Sequence, residues 1–170
     1  HTVSLDDFYR GREQAPRLPN GQFDYETPEA LDLGRLESCM LGLLKEGRTL
    51  LPRFDFEAGR PAADTRELCL GPDAVVIFEG IHALNPVFER HIPQENVVKL
   101  FINTLSPIYA GDDKLLARRD IRLIRRLLRD VHFRASSLEN TLEMWQQVVR
   151  GENLYLFPYV DTVDLVVDTT

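Results

Sequence analysis

The sequence predicts an α/β domain, a mainly parallel sheet flanked by helices. Two observations carry this reading. Val75-Val76-Ile77-Phe78 is an apolar run with no polar alternation, and it ends in Glu79-Gly80. Such a run is the pattern of a strand buried on both faces. Val97 to Ile102 and Leu165 to Val167 are further apolar runs, with segments of helical periodicity between the strands. Strands that alternate with helices assemble into parallel sheets. Right-handed crossovers then place the strand ends near Leu5, Glu79 and Asn103 on one edge, where open α/β folds bind ligands. Glu79 by itself reads equally as an acid beside a nucleotide's Mg²⁺ or as an acidic turn after a core strand.

Each element follows from local pattern. Thr2 to Leu5 is the tail of a strand, followed at once by Asp6-Asp7-Phe8-Tyr9. Arg10 to Tyr25 is polar and rich in Gly and Pro, a loop long enough to be functional rather than a plain connector. Thr27-Pro28-Glu29 predicts a helix start, with Thr as N-cap and Pro at the first position. Leu33, Leu36, Met40, Leu43 and Leu44 continue that helix until Gly47 stops it. Thr49 to Leu51, Arg53 to Phe56 and Arg66 to Leu70 predict a small β excursion. Ala74 to Glu79 is the central strand, Val87 to His91 a short helix, and Ser106 to Lys114 a polar connector. From about Leu115 to Phe133 the pattern is helical, with Leu123, Ile124, Leu127, Leu128 and Val131 on one side. Arg118, Arg122, Arg125 and Arg129 line another side at spacings of 4, 3 and 4, with Arg126 alongside. Ser136 and Glu139 predict a capping box that opens a last helix through Leu142, Trp145, Val148 and Val149.

Composition narrows the function. The 170 residues suffice for one domain with a real core, and 44% apolar with 28% charged residues is ordinary for a globular chain. No apolar run approaches the ~20 residues of a membrane helix, and the first residues lack the pattern of a signal peptide. Cys39 and Cys69 have no metal-ligand spacing and read as buried free thiols, which fits a reducing cytoplasm. A net charge of −7 argues against general nucleic-acid binding. Yet 17 of the 20 basic residues are Arg, and six of these fall between Arg118 and Arg129. An acidic protein with one dense Arg segment has a local anion site, and Arg favours bidentate contact with phosphate or carboxylate.

Asp6, Asp7 and Glu79 all follow strand ends. Two such acids on one edge suit a site in which one orients a hydroxyl nucleophile and the other helps to hold Mg²⁺. Like charges stacked on one helix face are destabilising unless something neutralises them. Phosphoryl transfer needs cations around the transferred group, so the Arg helix reads as a lid that closes over phosphates. Phe54, Phe56, Phe8, Tyr9 and Tyr25 could wall a planar base or simply fill core. His82 and His132 read as structural.

Five stretches, in order, resemble the uridine kinases and related nucleoside kinases of the phosphoribulokinase/uridine kinase group. They are Ser4-Leu5-Asp6-Asp7-Phe8-Tyr9, Phe23-Asp24-Tyr25, Pro52-Arg53-Phe54-Asp55-Phe56, Phe78-Glu79-Gly80-Ile81, and Arg122 to Asp130. The resemblance covers nearly the whole chain. It implies a P-loop NTPase-like fold, one domain over 1–170 with a lid over about 115–136, and ATP with Mg²⁺. It implies that Asp6 accepts the proton of a ribose 5′-hydroxyl and that Arg129 and Arg134 reach the phosphates. Tyr9, Asp24, Phe54 and Arg126 would surround a nucleoside, with Asp24 on the sugar hydroxyls and Phe54 where the group usually has Tyr. Glu79 would be the Mg²⁺-associated acid. Similar kinases are commonly homo-oligomers.

Departures from the group's pattern accompany the match. After Arg134 the group continues Gly-Arg, whereas this chain has Ala135-Ser136. Met144 stands where a Gln is common, and the His expected shortly after Phe56 has no equivalent in Glu57-Ala58-Gly59-Arg60. No Gly-x-x-x-x-Gly-Lys-Ser/Thr occurs. In the group that loop precedes the Ser-x-Asp-x-Phe-Tyr motif by about one βα unit, roughly 30 residues, so the expectation is a first βα unit upstream of His1. The leading expectation is the substrate-and-lid part of a nucleoside kinase. The alternatives are a kinase for another small hydroxyl substrate, such as a sugar phosphate or pantothenate, and a non-catalytic domain.

Overall fold

The computed structural model describes residues 1–134 and 136–170, so Ala135 of the lid motif lies outside the described residues. Strand β1 (Thr2–Ser4) runs into a 3₁₀ turn, Leu5–Phe8. In a 3₁₀ turn residues i and i+3 eclipse. Leu5 and Phe8 are accordingly both buried, while Asp6 and Asp7 are turned outward and only partly covered. The loop that follows is pinned by two isolated bridges, Tyr9 to Leu31 and Arg17 to Phe23.

Helix α1 (Leu33–Glu46) begins later than the sequence predicts. Thr27-Pro28-Glu29 opens only a 3₁₀ turn, Pro28–Ala30. The bridge from Leu31 to Tyr9 pulls that residue into an extended conformation and ends the turn. Asp32 then caps the helix, its Oδ1 accepting the N–H of Arg35 at 3.1 Å. Gly47 closes it at φ +67°, donating its N–H to the Leu43 carbonyl.

The β excursion forms as two antiparallel pairs. β2 (Arg48–Leu51) pairs with β5 (Arg66–Cys69), and between them β3 (Phe54–Asp55) pairs with β4 (Arg60–Pro61). Leu68 points into the core, so its neighbour Cys69 points out. Cys39 is the buried free thiol that the sequence predicts, and Cys69 is exposed.

Strand β6 (Ile77–Glu79) pairs parallel with β1, setting Ser4 beside Glu79. It is shorter and more open than its apolar run predicts, with Ile77 58% exposed. Among the described residues only β1 ladders with it, so one edge and part of its faces stay uncovered. Gly80 then lies against Leu5, where an added Cβ would sit 2.9 Å from the Leu5 Cβ. This close approach keeps the end of β6 tight against the turn that carries Asp6.

After a 3₁₀ turn at Pro86–Phe88 comes β7 (Leu100–Asn103). The predicted polar connector is instead a hairpin, β8 (Ile108–Ala110) and β9 (Asp113–Leu116), turning at Gly111 with φ +64°. Nearly all of its residues are exposed, so no buried face imposes an apolar alternation that would mark these strands in the sequence. Helix α2 (Arg118–Phe133) and helix α3 (Leu138–Tyr155) pack on each other. Ser137, not Ser136, caps α3, accepting the Asn140 N–H at 3.1 Å. Ser136 instead accepts from the Asn140 side chain and donates its own N–H to Asp130. β10 (Leu165–Asp168) pairs parallel with β7. The parallel strands thus ladder as two pairs, β1–β6 and β7–β10.

The larger core joins β1, its turn, α1 and the excursion through Val3, Leu5, Phe8, Leu31, Leu36, Cys39, Leu43, Leu51 and Leu68. A smaller cluster of Leu84, Phe101 and Leu156 lies under β7 and the end of α3. At about 1.5–3 kcal/mol for each fully buried large aliphatic side chain, the first cluster dominates. It fixes β1 and hence Asp6.

Candidate active site

Two tethers set the wall of the site. Asp7 Oδ1 accepts the backbone N–H of Phe54 at 3.2 Å, fastening β3 to the β1 turn. Asp7 is thereby a structural residue, and its role cannot be read from the Asp-Asp pair in sequence. Tyr9 donates its hydroxyl to the Tyr25 carbonyl at 3.2 Å. Burial and the nearby Asp6 carboxylate push the Tyr9 hydroxyl pKa up, which keeps it a neutral donor. The rings then pack edge to face, Tyr9 to Phe54 at 5.9 Å and Phe54 to Phe56 at 5.2 Å between centroids. Phe8 is core and not part of this wall.

The wall bounds a cavity of about 380 Å³ lined by Tyr9, Arg10, Arg12, Tyr25, Phe54, Phe56, Arg134, Asn140 and Met144. That volume suits a small organic ligand. Arg134 joins wall to acid. Its guanidinium donates to Asp6 Oδ2 at 2.7 Å and lies 4.9 Å from the centre of the Phe56 ring. Arg10 and Arg12 were not singled out from sequence. Each is fixed by a backbone carbonyl, Arg10 by Leu31 and Arg12 by Phe56. Arg12 also lies so close over Gly59 that a Cβ there would come within 2.3 Å of its Nε. Gly59 itself holds φ +65°.

The remaining predicted residues do not line the cavity. Asp24 is buried, with Oδ2 accepting from Arg150 at 2.9 Å and Oδ1 from the Glu26 N–H at 3.2 Å. Arg126 and Arg129 converge on the buried carboxylate of Asp130, at 3.2 and 3.5 Å. Asp130 also accepts from the Thr141 hydroxyl at 3.2 Å. Burial and the neighbouring Arg134 lower the Arg129 pKa. Arg122 is engaged by the fully buried Glu152 and by Asn103. Asp120 caps α2 by accepting the Ala117 N–H at 2.7 Å.

Glu79 is exposed at the end of β6, one strand over from Ser4. Among the described residues no cluster of three or more metal-ligating side chains forms. Mg²⁺ is commonly held by one or two carboxylates with substrate phosphates and water, and an exposed strand-end carboxylate fits that requirement. His82 is fully buried with neither ring nitrogen hydrogen-bonded, and burial pulls its pKa down to about 4. Among the described residues no helix is long and apolar enough to cross a membrane.

The model of the phosphoribulokinase/uridine kinase family matches residues 2–170. The chain belongs to this family. It is 27% identical over 168 residues to the uridine kinase of Saccharomyces cerevisiae, covering 97% of this chain and 30% of that protein. It is 26% identical to uridine-cytidine kinase B of Dictyostelium discoideum, covering 97% of this chain and 61% of that protein. With the uridine kinase of Lactobacillus helveticus the identity is 28%, over 97% of this chain and 70% of that one. The chain thus spans between about a third and two thirds of the first two relatives' lengths.

Among solved structures, a possible uridine kinase from Bacillus stearothermophilus superposes with a TM-score of 0.54 at 13% identity, covering 98% of this chain and 71% of that one. The YGR205w protein superposes at 0.57 and 14% identity, covering 95% and 68%. These likenesses establish the fold, an α/β P-loop NTPase-like architecture with parallel strand pairs flanked by helices. Of the residues in the matching stretches, Tyr9 and Phe54 line the aromatic cavity, and Arg134, which also lines it, is bonded to Asp6.

Proposed function

We propose that this chain forms the acceptor and lid part of a kinase that moves the γ-phosphoryl group of ATP to the 5′-hydroxyl of a uridine- or cytidine-like nucleoside. The observation that carries the proposal is the Asp6–Arg134 pair, an acid and a cation 2.7 Å apart, with the cation lining an aromatic cavity. In-line transfer needs these two groups, one to take the acceptor's proton and one to stabilise charge on the transferred group. The acceptor oxygen bonds to the γ-phosphorus while the bond from that phosphorus to the ADP oxygen breaks. The hydroxyl proton passes to Asp6. Arg134, released from Asp6, and Arg129 then face the phosphates. Tyr9, Phe54 and Phe56 wall the base, and, as in the family pattern, Asp24 takes the sugar hydroxyls with Arg126 near the nucleoside. Glu79 is the residue that would hold Mg²⁺, which neutralises phosphate charge when bound.

A second reading in the same pocket is favoured by Arg10 and Arg12. Among the described residues neither has a carboxylate within ion-pair distance, and no acid lines the cavity. Two anchored guanidinium groups suit an acceptor that itself carries phosphate or carboxylate. Radiolabelled ATP with the full-length protein and a panel of uridine, cytidine, ribose 5-phosphate and pantothenate separates the readings. Label on uridine or cytidine is expected. Label only on an anionic acceptor transfers the assignment to the second reading. Label on none, with ATP bound, refutes both and leaves a non-catalytic domain.

A further inference from the structure

Asp24 is held by a residue that no motif marks. Helix α3 presses one face on the segment 22–26 through three contacts. Gln147 donates to the Gln22 side chain at 3.2 Å, and Arg150 donates to Asp24 Oδ2 at 2.9 Å. Gly151 comes so near that an added Cβ would lie 2.6 Å from the Glu26 Cβ and 3.2 Å from the Glu26 carbonyl oxygen. Residues 147, 150 and 151 share one helix face. Residues 22, 24 and 26 alternate along the segment, so the same side of an extended strap meets that face. The missing side chain at Gly151 lets helix and strap close to backbone contact.

The Asp24 side chain is 7% exposed, so an ionised carboxylate here needs its cation. Its two oxygens accept one hydrogen bond each from Arg150 and the Glu26 N–H. A carboxylate accepts about four, so capacity for two hydroxyl donors remains. Arg150 is itself partly open to solvent, 41% exposed, and its pKa is raised by the bond to Asp24. It can hold the acid without being locked in the core.

We infer that Arg150 is a positioning residue for Asp24, and that α3 sets the acceptor strap 22–26 through Gln147, Arg150 and Gly151. The inference rests on the acceptor role of Asp24 proposed above. Without Arg150 the buried carboxylate loses its only cation within ion-pair distance among the described residues, and it either takes a proton or swings out to water. Either change weakens hydroxyl binding while leaving Asp6 and Arg134 in place.

The test uses Arg150→Ala and Arg150→Lys in the full-length protein, with two readouts. For the acceptor nucleoside, Arg150→Ala is expected to raise KM about tenfold or more with kcat within about threefold, and Arg150→Lys is expected to restore most of the KM. In the ligand-free protein, hydrogen exchange at amides 22–26 is expected to speed up about tenfold in Arg150→Ala, with the α1 amides unchanged. Unchanged exchange overturns the strap. Faster exchange with an unchanged acceptor KM overturns the positioning role and leaves Arg150 as a structural tie. A wild-type protein that transfers no phosphoryl group refutes the function proposed above and Arg150's positioning role with it, and the exchange data then decide the strap alone.

Discussion

The substitution Asp6→Asn divides a mechanism from a tether. Asp6 and Arg134 are 31% and 26% exposed, so their 2.7 Å bond is partly solvated. Such a pair contributes about 1 kcal/mol to stability, and Asn keeps an oxygen that can still accept from Arg134. In a domain of this size about 1 kcal/mol lowers Tm by roughly 2–4 °C. If Asp6 takes the acceptor's proton, its loss slows turnover by about 10²–10⁴-fold, a barrier increase of roughly 3–5 kcal/mol. The kinetic effect should therefore exceed the stability effect severalfold. The assay pairs a thermal melt with radiolabel transfer at saturating acceptor in the full-length protein. Arg134→Ala and the double variant complete a cycle. If turnover of Asp6→Asn stays within about threefold of wild type, Asp6 is no base. If Asp6→Asn matches Arg134→Ala and the double variant adds nothing, Asp6 serves only to hold the lid arginine.

Two further outcomes test the frame around the site. Leu36→Ala, at a fully buried position in the larger core, should cost about 2–5 kcal/mol in urea unfolding, and a cost under about 1 kcal/mol would mean that α1 packs elsewhere. Burial holds the folded-state pKa of His82 at about 4 against 6.5 for an ordinary histidine. Between those values the unfolded chain binds a proton that the folded chain refuses, so stability should fall as pH drops from about 6.5 to 4, by up to about 3 kcal/mol. Glu26 works the other way, since burial raises its carboxyl pKa and its contribution is lost as pH rises. The difference between wild type and His82→Leu isolates the histidine, and parallel stability–pH curves for the two proteins would remove it from the account.

What the sequence made legible was whatever a local pattern decides. Gly47 stops α1 because φ +67° suits glycine, and the apolar spacing of Leu36 and Leu43 marks the buried face of that helix. The strand-end position of Asp6 and the aromatic pair Tyr9 and Phe54 were legible as well. What was missed depends on contacts distant in sequence. Thr27 has the chemistry of an N-cap, but the Tyr9–Leu31 bridge ends its turn and hands the cap to Asp32. Asp7 looked like a second reacting acid, and a hydrogen bond to a backbone 47 residues away makes it a fastener. Arg10 and Arg12 sit in a loop with no periodicity, so nothing in sequence aims them at the cavity. The exposed Ile77 shows that an apolar run reports the burial a strand can have, while the neighbours present decide the burial it does have.

The arginine helix sharpens the same point. Stacked guanidinium groups on α2 imply a counter-anion, and a bound phosphate is one candidate. The structure supplies internal ones: Glu152 for Arg122, Asp130 for Arg126 and Arg129, and Asp6 for Arg134. These pairings are not equally exchangeable. Glu152 is fully buried with Arg122 as its cation, and taking Arg122 away leaves a carboxylate unpaired away from water, at a cost of roughly 3–5 kcal/mol, whereas the nearly buried Asp130 is shared by Arg126 and Arg129 and keeps one if the other leaves. Asp6 is about a third exposed, so water can solvate it when Arg134 leaves. In the proposed reaction an incoming phosphate would therefore displace Asp6 from Arg134 at far lower cost than it would displace Glu152 from Arg122. That exchange would leave the Asp6 carboxylate open to the acceptor's proton. On this proposal Arg134 is the residue that changes partners, while the buried pairs of Arg122 and Arg126 hold the helix still.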